Sequence, residues 1–242
     1  MRPATLHVLC AGAVKHAFTA LAGRFEQETG QSVDCSFAAV GALLRQHAQG
    51  AKADILLLNR PALDALATQG KVRQPIFDVG TVGVGIAVRS GSARPDLASP
   101  DSLRNALLAA PSLSYGDPAH GDSSGVHFAK VIAQLGIADA VTGKTRLAPS
   151  GLAVAELVRD GQVALGATQA SVIAACRGAD LAGLLPGELQ NFTTYACALA
   201  ADAQAPDQAR RLLDYLRTAQ ARETFAEAGF SVAANVRGLA DT

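Results

Sequence analysis

The sequence predicts an α/β chain folded as two lobes joined by two extended crossings. Three patterns carry this expectation. Short apolar runs alternate with stretches of helical period over the first 70 residues, the same alternation resumes after residue 112, and two long extended segments run between and after these blocks.

Taken in order, Leu6–Cys10 reads as a strand, Ala11-Gly12-Ala13 as a tight turn, and the following stretch as a helix with Phe18, Leu21 and Phe25 on one face and Gly30 as its stop. Val33–Phe37 is a second strand. Ala38-Ala39-Val40-Gly41 leads into a helix carrying Leu43, Leu44 and His47 that ends near Gly50. A third strand, Ile55–Leu58, meets Asn59 as a helix cap and Pro61 as the first helical residue. Successive strand-helix units of this kind imply parallel strands with right-handed crossovers.

From Phe77 to Val88 the pattern becomes extended, with Val79, Val82, Val84, Ile86 and Val88 interrupted by Gly80, Gly83 and Gly85. Glycine weakens a strand and permits bending, so this run reads as a connection between lobes rather than a core strand. Leu189–Ala200, with Phe192, Thr193, Thr194, Tyr195 and Cys197, reads as the return crossing. Between them, Ser112–Tyr115 is a strand that ends in the small-residue loop Gly116–Gly125 and feeds a helix, Val126–Leu135. Ser150-Gly151 opens the helix Ala153–Arg159, and Val163–Ala167 is a strand ending in Thr168-Gln169. A helix from Pro206 to about Ala219 and a short one to Ala228 close the chain against the first lobe. The expected division is residues 1–80 plus 201–242 for the first lobe and 81–200, with both crossings, for the second.

Composition narrows the function classes. The 242 residues carry 21 Lys+Arg against 21 Asp+Glu, with 49% hydrophobic and 17% charged residues, which leaves no cationic footprint for nucleic acid or a membrane surface. No run of 18 apolar residues occurs. Cys10, Cys35, Cys176 and Cys197 are widely spaced without C-x-x-C or Cys/His metal spacing, and they read as free thiols of a reducing compartment. Met-Arg-Pro-Ala-Thr runs straight into the first strand without the three parts of a secretory leader, which places the chain in the cytosol, or in the periplasm if a leader preceded it. No metal and no cofactor are expected.

Chemistry in a chain of this class collects where loops leave the carboxyl ends of parallel strands, because helix N-termini converge there with unpaired N–H groups and about half an elementary positive charge each. The expected ligand-contacting residues are Ala11, Gly12, Ala13, Lys15, Val40, Gly41, Asn59, Ser123, Ser124, Gly125, Ser150, Gly151, Thr168 and Gln169. Their small side chains let backbone amides approach a ligand, and Lys15 stands in position to pair with a carboxylate. Ser123, Ser124 and Gly125 combine hydroxyl donors with an amide nest suited to an anion. His120, three residues after Asp117, is a candidate general base, with Lys15 as the other catalytic candidate. Arg45, one turn into its helix, reads as a surface residue. No Walker, dinucleotide or Gly-x-Ser-x-Gly pattern opens a helix.

The segments Ala11-Gly12-Ala13-Val14-Lys15, Phe25-Glu26-Gln27-Glu28-Thr29-Gly30, Gly41-Ala42-Leu43-Leu44-Arg45-Gln46, Ala53-Asp54-Ile55-Leu56, Gly116-Asp117-Pro118-Ala119, Ala129-Lys130 with Leu135-Gly136, and Ala228-Gly229-Phe230 follow one another across nearly the whole chain. In that order they resemble the type II periplasmic solute-binding proteins of the molybdate-binding branch. The resemblance implies two Rossmann-like lobes that close around an oxyanion or small acid. Members that bind molybdate place serines in the loop after the first strand and before the second helix. This sequence has Ala11, Gly12 and Ala13 in the first position and Val40 in the second, so both hydroxyl donors are lost. Each missing charge-assisted hydrogen bond forfeits about 1.5–3 kcal/mol. Thr168 and Gln169 stand where those relatives have an apolar residue and a tyrosine.

The expected function is therefore a solute-binding protein that closes around a small organic carboxylate rather than molybdate, as a monomer, with a transporter partner if it is exported. Two alternatives remain. The superfamily includes an aconitate isomerase, and Lys15, Ser123 and His120 could serve an allylic proton transfer on an unsaturated tricarboxylate. Backbone amides alone could also hold molybdate or tungstate.

Overall fold

The computed structural model describes residues 5–232. The reading of residues 1–4 as leaderless, and the last ten residues assigned to the first lobe, lie outside the described residues.

The first sheet is built from β1 (Leu6–Ala11), β2 (Val33–Ala38), β3 (Ile55–Asn59), β4 (Val72–Arg89) and β9 (Phe192–Ala200) in the order β2-β1-β3-β9-β4. β1 lies parallel to both β2 and β3, as successive strand-helix units demand. Side-chain alternation sends the two faces of each strand to separate cores. Leu6, Val8, Cys10, Ile55, Leu57, Cys197 and Leu199 pack on one side with Phe18, Leu21 and Phe25 of α1 (Lys15–Thr29), Leu212 of α9 (Pro206–Tyr215) and Phe225 of α10 (Ala219–Glu227). Leu9, Leu56, Leu58, Ala196 and Ala198 pack on the other with Leu43 of α2 (Val40–Ala48) and Leu63 and Leu66 of α3 (Arg60–Thr68). A strand buried on both faces explains the unbroken apolar run Ile55–Leu58.

The second sheet repeats the scheme. β5 (Leu113–Gly116) is parallel to β6 (Thr145–Ala148) and to β7 (Leu165–Gln169), and β7 lies antiparallel to β4. Val84, Ile86, Leu113 and Ala167 meet Leu103 and Leu107 of α4 (Pro100–Ala109), Phe128 and Val131 of α5 (Ser123–Gln134) and Val141 of α6 (Ala138–Thr142). On the opposite face Ala87 meets Ala155 and Val158 of α7 (Gly151–Arg159) and Val172 and Ile173 of α8 (Ala170–Ala175). β8 (Ala179–Leu184) pairs with the end of β4. Periodicity had left α4, α6, α8, β6 and β8 unread.

Two expectations need correction. The segment Phe77–Val88 is not a bare connection. It lies inside the 18-residue β4, which pairs with β9 through Gly83 and with β7 from Val84 onward, so one strand belongs to both sheets. Its valines are buried for that reason. Pro61 occupies the second helical position of α3, with Arg60 first, while Asn59 does cap the helix by accepting from the Ala62 N–H at 3.2 Å. β9, within the residues 81–200 assigned to the second lobe, pairs along β3 from Asn59↔Tyr195 to Ile55↔Leu199. Where β4 leaves β9, the Gln190 side chain takes over as a strand would. Its Oε1 accepts from the Val84 N–H and its Nε2 donates to the Val84 carbonyl, both at 2.9 Å.

Cys10, Cys176 and Cys197 are buried, Cys35 is half-buried, and all four are free thiols. Burial pushes the Cys35 thiol up to about 12, with the charges of Asp34 and Glu26 adding to the effect. Only the thiolate is nucleophilic, so alkylation of the native protein at pH 8 should run more slowly than a free cysteine by on the order of a hundredfold, and speed up as the pH climbs toward the raised value. Four fast-reacting thiols in native protein would contradict this burial, whereas four are expected in denaturant.

Candidate functional site

The carboxyl ends of β1, β2, β5, β6 and β7 enclose a cavity of about 80 Å³ between the two sheets. At about 10–15 Å³ per water, that holds a ligand of several heavy atoms.

The first-lobe wall is methyl and backbone. β1 ends at Ala11, a 3-10 turn covers Gly12–Val14, and α1 starts at Lys15 without any side-chain cap. α2 likewise starts after Ala39 with no capping side chain. The 3-10 turn already takes the Lys15 N–H to the Gly12 carbonyl, and the Ala39 carbonyl takes those of Ala42 and Leu43, so the donors on the cavity side are the amides just ahead of these, at Ala13 and Val40. Ala11, Ala13, Ala38, Ala39 and Val40 contribute no hydroxyl. The Lys15 ammonium stands 5.6 Å from the centroid of the Phe37 ring, and both residues line the cavity. Lys15 is exposed and belongs to the mouth rather than the floor.

The second-lobe wall is organised around a carboxylate that sequence reasoning passed over. Asp122 is 8% exposed and caps α5. Its Oδ1 accepts from the Ser124 hydroxyl at 2.6 Å and the Gly125 N–H at 2.8 Å, and its Oδ2 accepts from the Gly151 N–H at 3.0 Å. One internal anion thus occupies the N-termini of α5 and α7 together. The packing requires bare glycines: a Cβ on Gly116 would lie 2.5 Å from the Asp122 carboxyl carbon, and one on Gly125 would strike the Gly116 carbonyl. Ser150 caps α7 by accepting from the Ala153 N–H at 3.3 Å.

Deeper in, Thr168 is fully buried and Gln169 is 3% exposed. Gln169 Nε2 donates to Thr193 Oγ1 at 3.1 Å, while Gln169 Oε1 and Thr168 Oγ1 have no hydrogen-bond partner in the structure. Tyr195 completes the floor. Burial pushes its phenol well up, the charge of Asp122 adds to this, and hydrogen bonding with Ser123 and Gln169 opposes it, so the hydroxyl keeps its proton.

Three polar contacts hold the two walls together across the cavity. Gly41 N–H donates to the Gly121 carbonyl at 3.3 Å, Asn59 Nδ2 donates to Ser123 Oγ at 3.1 Å, and Ser171 Oγ donates to the Ala13 carbonyl at 2.9 Å. A Cβ on Gly41 would sit 2.6 Å from the His120 carbonyl oxygen, which is why the rim closes on glycine.

Of the residues expected at the site, Ala11, Gly12, Ala13, Lys15, Val40, Ser123, Ser124, Ser150, Gly151, Thr168 and Gln169 line this cavity. Gly41 and Asn59 stand at its rim as cross-cleft contacts. Gly125 is withdrawn from it, because its N–H serves Asp122 and its missing side chain makes room for Gly116. The Gly151 amide and the Ser124 hydroxyl are also spent on Asp122. His120 does not line the cavity. Its half-exposed ring stands at the rim with Nδ1 3.3 Å from Asp117 Oδ2. Arg45 is exposed on α2. Asp122, Tyr195 and Phe37 were missed. A signal for Asp122 was present, since Asp is as good an N-cap as either of the serines that follow it. Among the described residues no group of three or more His, Cys, Asp or Glu stands together as a metal site.

Comparison with known proteins fits this architecture. The family described as bacterial extracellular solute-binding protein matches residues 6–231. An aconitate isomerase from Pseudomonas sp is 31% identical over 232 residues, covering 93% of this chain and 87% of that protein. Among solved structures, the periplasmic molybdate-binding protein of Azotobacter vinelandii superposes with a TM-score of 0.78 at 18% identity, over 95% of this chain and all (100%) of that one. The sulfate-binding protein SubI of Mycobacterium tuberculosis H37Rv gives 0.74 at 17% identity, over 95% and 87%. At these identities the two structures speak for the fold alone. With a family match spanning both sheets and a cavity walled by helix starts from each, the chain is a bacterial extracellular solute-binding protein by family and a type II periplasmic binding protein by fold.

Proposed function

We propose that this chain binds a small organic carboxylate between its lobes. The observation that carries the reading is the division of donors around the cavity. The first-lobe wall offers methyl groups, the Phe37 ring, backbone N–H and Lys15 at the mouth but no hydroxyl, and the second-lobe helix starts are already filled by Asp122. A tetrahedral dianion such as molybdate or sulfate would face methyl groups on one side and a resident carboxylate on the other, leaving several of its lone pairs without donors. A carboxylate needs fewer. One end can take the Ala13 and Val40 N–H groups with Lys15 nearby, while the carbon skeleton lies along Phe37, Val40 and Leu152.

Melting curves against a panel of acids and oxyanions test this. A ligand at 100 times its dissociation constant should add about 2.7 kcal/mol of stability. Di- and tricarboxylates are expected to produce the shift and molybdate and sulfate are not; the reverse ranking removes the proposal. Because Lys15 is exposed, Lys15→Ala should weaken carboxylate binding by only about fivefold, the worth of a solvent-screened ion pair.

A second reading is favoured by the 31% identity to an aconitate isomerase over 93% of the chain. In it the same cavity would move an allylic proton, with Lys15 or the Tyr195 phenol as the groups at hand and His120 outside the reaction. Deuterium entering the carbon skeleton of aconitate in deuterated water would support isomerisation. Binding without exchange would leave the solute-binding reading standing alone.

A further inference from the structure

We infer that Asn59, reaching across the cleft from the first lobe, is a positioning residue that fixes Ser123 as a hydrogen-bond donor toward the cavity. The second-lobe wall then receives an acceptor oxygen of the ligand, a second carboxylate or a carbonyl rather than an ammonium. This rests on the reading of the cleft as a carboxylate site and deepens it by naming what meets the second wall.

A backbone amide sets the sense of the contact. Asn59 Oδ1 accepts from the Ala62 N–H at 3.2 Å, and a backbone N–H can only donate, so the other end of the side-chain amide is the one at Ser123. That end, Nδ2, donates to Ser123 Oγ at 3.1 Å. Ser123 Oγ therefore accepts, and its own proton is left to point elsewhere. Sidedness gives the direction. Asn59 lines an outer groove of about 790 Å³ together with Arg60, Asp78 and Lys130, and it does not line the ligand cavity. Ser123 lines both and stands between them. The amide donates from outside, so the hydroxyl turns its proton inward.

Tyr195 leaves this sense unchanged. Its phenol lines the cavity and hydrogen-bonds with Ser123. Two hydroxyls carry two protons, and the bond between them uses one. With Asn59 donating from behind, the second is presented to the ligand by whichever hydroxyl ends the row. Gln169 Oε1, in the same wall, has no hydrogen-bond partner and so does not take it. A ligand oxygen accepts that proton, whereas an ammonium would meet it donor to donor. Because Asn59 ends β3 and Ser123 opens α5, the donor is set only when the two walls meet.

Titration calorimetry with succinate, citrate and trans-aconitate tests this on the wild type, Asn59→Asp, Ser123→Ala and the double variant. Asp caps a helix as well as Asn does, and Asp122 rather than Ser123 caps α5, so both single variants should melt near the wild type. A carboxylate at position 59 accepts from Ser123 as well as from Ala62, which draws the hydroxyl proton back and turns a lone pair to the ligand. Asn59→Asp should weaken the tightest-binding acid by at least about thirtyfold at pH 7, and Ser123→Ala by about tenfold, as for one hydrogen bond to a charged group. Without the Ser123 hydroxyl there is nothing to reverse, and Asn59→Asp should cost only about threefold, for its screened charge. Once protonated, the new carboxyl can donate to Ser123. The deficit of Asn59→Asp against the wild type should thus shrink about tenfold as the pH falls toward about 4, and by no more than about threefold when Ser123 is alanine. Arg60, Asp78, His127 and Lys130, the charged and titratable groups of the outer groove, are common to all four proteins and cancel in these ratios. Equal losses from Asn59→Asp with and without the Ser123 hydroxyl would reduce the effect to charge and overturn the inference. Binding of either single variant within about threefold of the wild type at pH 7 would overturn it too, leaving a carboxylate site in place. Failure of every acid to bind the wild type overturns the carboxylate reading itself.

Discussion

Asp54→Ala should lower the stability of the protein by about 3–5 kcal/mol, because it leaves three buried backbone N–H groups without an acceptor at about 1–3 kcal/mol each. Asp54 is 2% exposed and lies at the turn before β3. Its Oδ2 accepts from the His7 N–H at 2.9 Å, and its Oδ1 accepts from the N–H groups of Gln204 and Ala205 at 2.8 and 2.9 Å. One carboxylate therefore ties β1 to the loop that leads into α9, joining sequence positions 150 residues apart within a single lobe. Alanine would leave three buried backbone donors without acceptors, a larger loss than that of any one apolar contact nearby. Asp54→Asn would retain one acceptor oxygen, and its stability should fall between those of the wild type and the alanine variant. Urea denaturation followed by circular dichroism should register the loss as a lower midpoint at unchanged slope, and melting should drop by on the order of 10 °C. A loss under about 1 kcal/mol would mean the three bonds are replaced by water at little cost.

The strand-helix scheme of the first lobe was legible because its signals are local. Ile55–Leu58 is apolar without alternation because β3 is covered on both faces, Gly30 ends α1 in the left-handed conformation at φ 70°, and Asn59 caps α3. What escaped was whatever depends on pairing at long range. The glycines of β4 suggested a flexible connection, yet Gly83 is bare because the Phe192 ring and the Gln190 amide pack 3.1–3.2 Å from where its Cβ would be. β6 has four residues, and β6 and β8 each have a single fully buried position, so they leave almost no periodic trace. At the site, the small residues of the first wall could be placed from sequence, since their position after β1 and before α2 follows from the topology. The role of Asp122 could not. Its partners Gly125 and Gly151 belong to different helices, and only the juxtaposition of β5 and β6 brings those helix starts to one point. For the same reason Gly125 and Gly151 looked like free amide donors in the sequence and are satisfied in the fold.

Asp122→Ala should produce the second large effect, a loss of about 3 kcal/mol that small anions reverse. The substitution frees the N–H groups of Gly125 and Gly151 and the hydroxyl of Ser124, all of which converge on the vacated carboxylate position. Buried donors without an acceptor account for the loss. The same donors, at the N-termini of α5 and α7, then form an anion-binding pocket that the native protein fills with its own side chain. Sulfate or acetate should enter it, and at 100 times the dissociation constant it would return about 2.7 kcal/mol, nearly the whole loss. Asp122→Asn should not be rescued in this way. The new amide oxygen can still accept from Ser124 and Gly125, but the amide nitrogen would face the Gly151 N–H donor to donor, while the side chain's bulk keeps an anion out. Melting of the wild type, Asp122→Ala and Asp122→Asn across a sulfate series at constant ionic strength separates these cases, since the general salting effect of sulfate moves all three alike. If the alanine variant shows no extra recovery, the two helix starts are not aimed at one point, and the second-lobe wall would have room for an anion of the ligand after all.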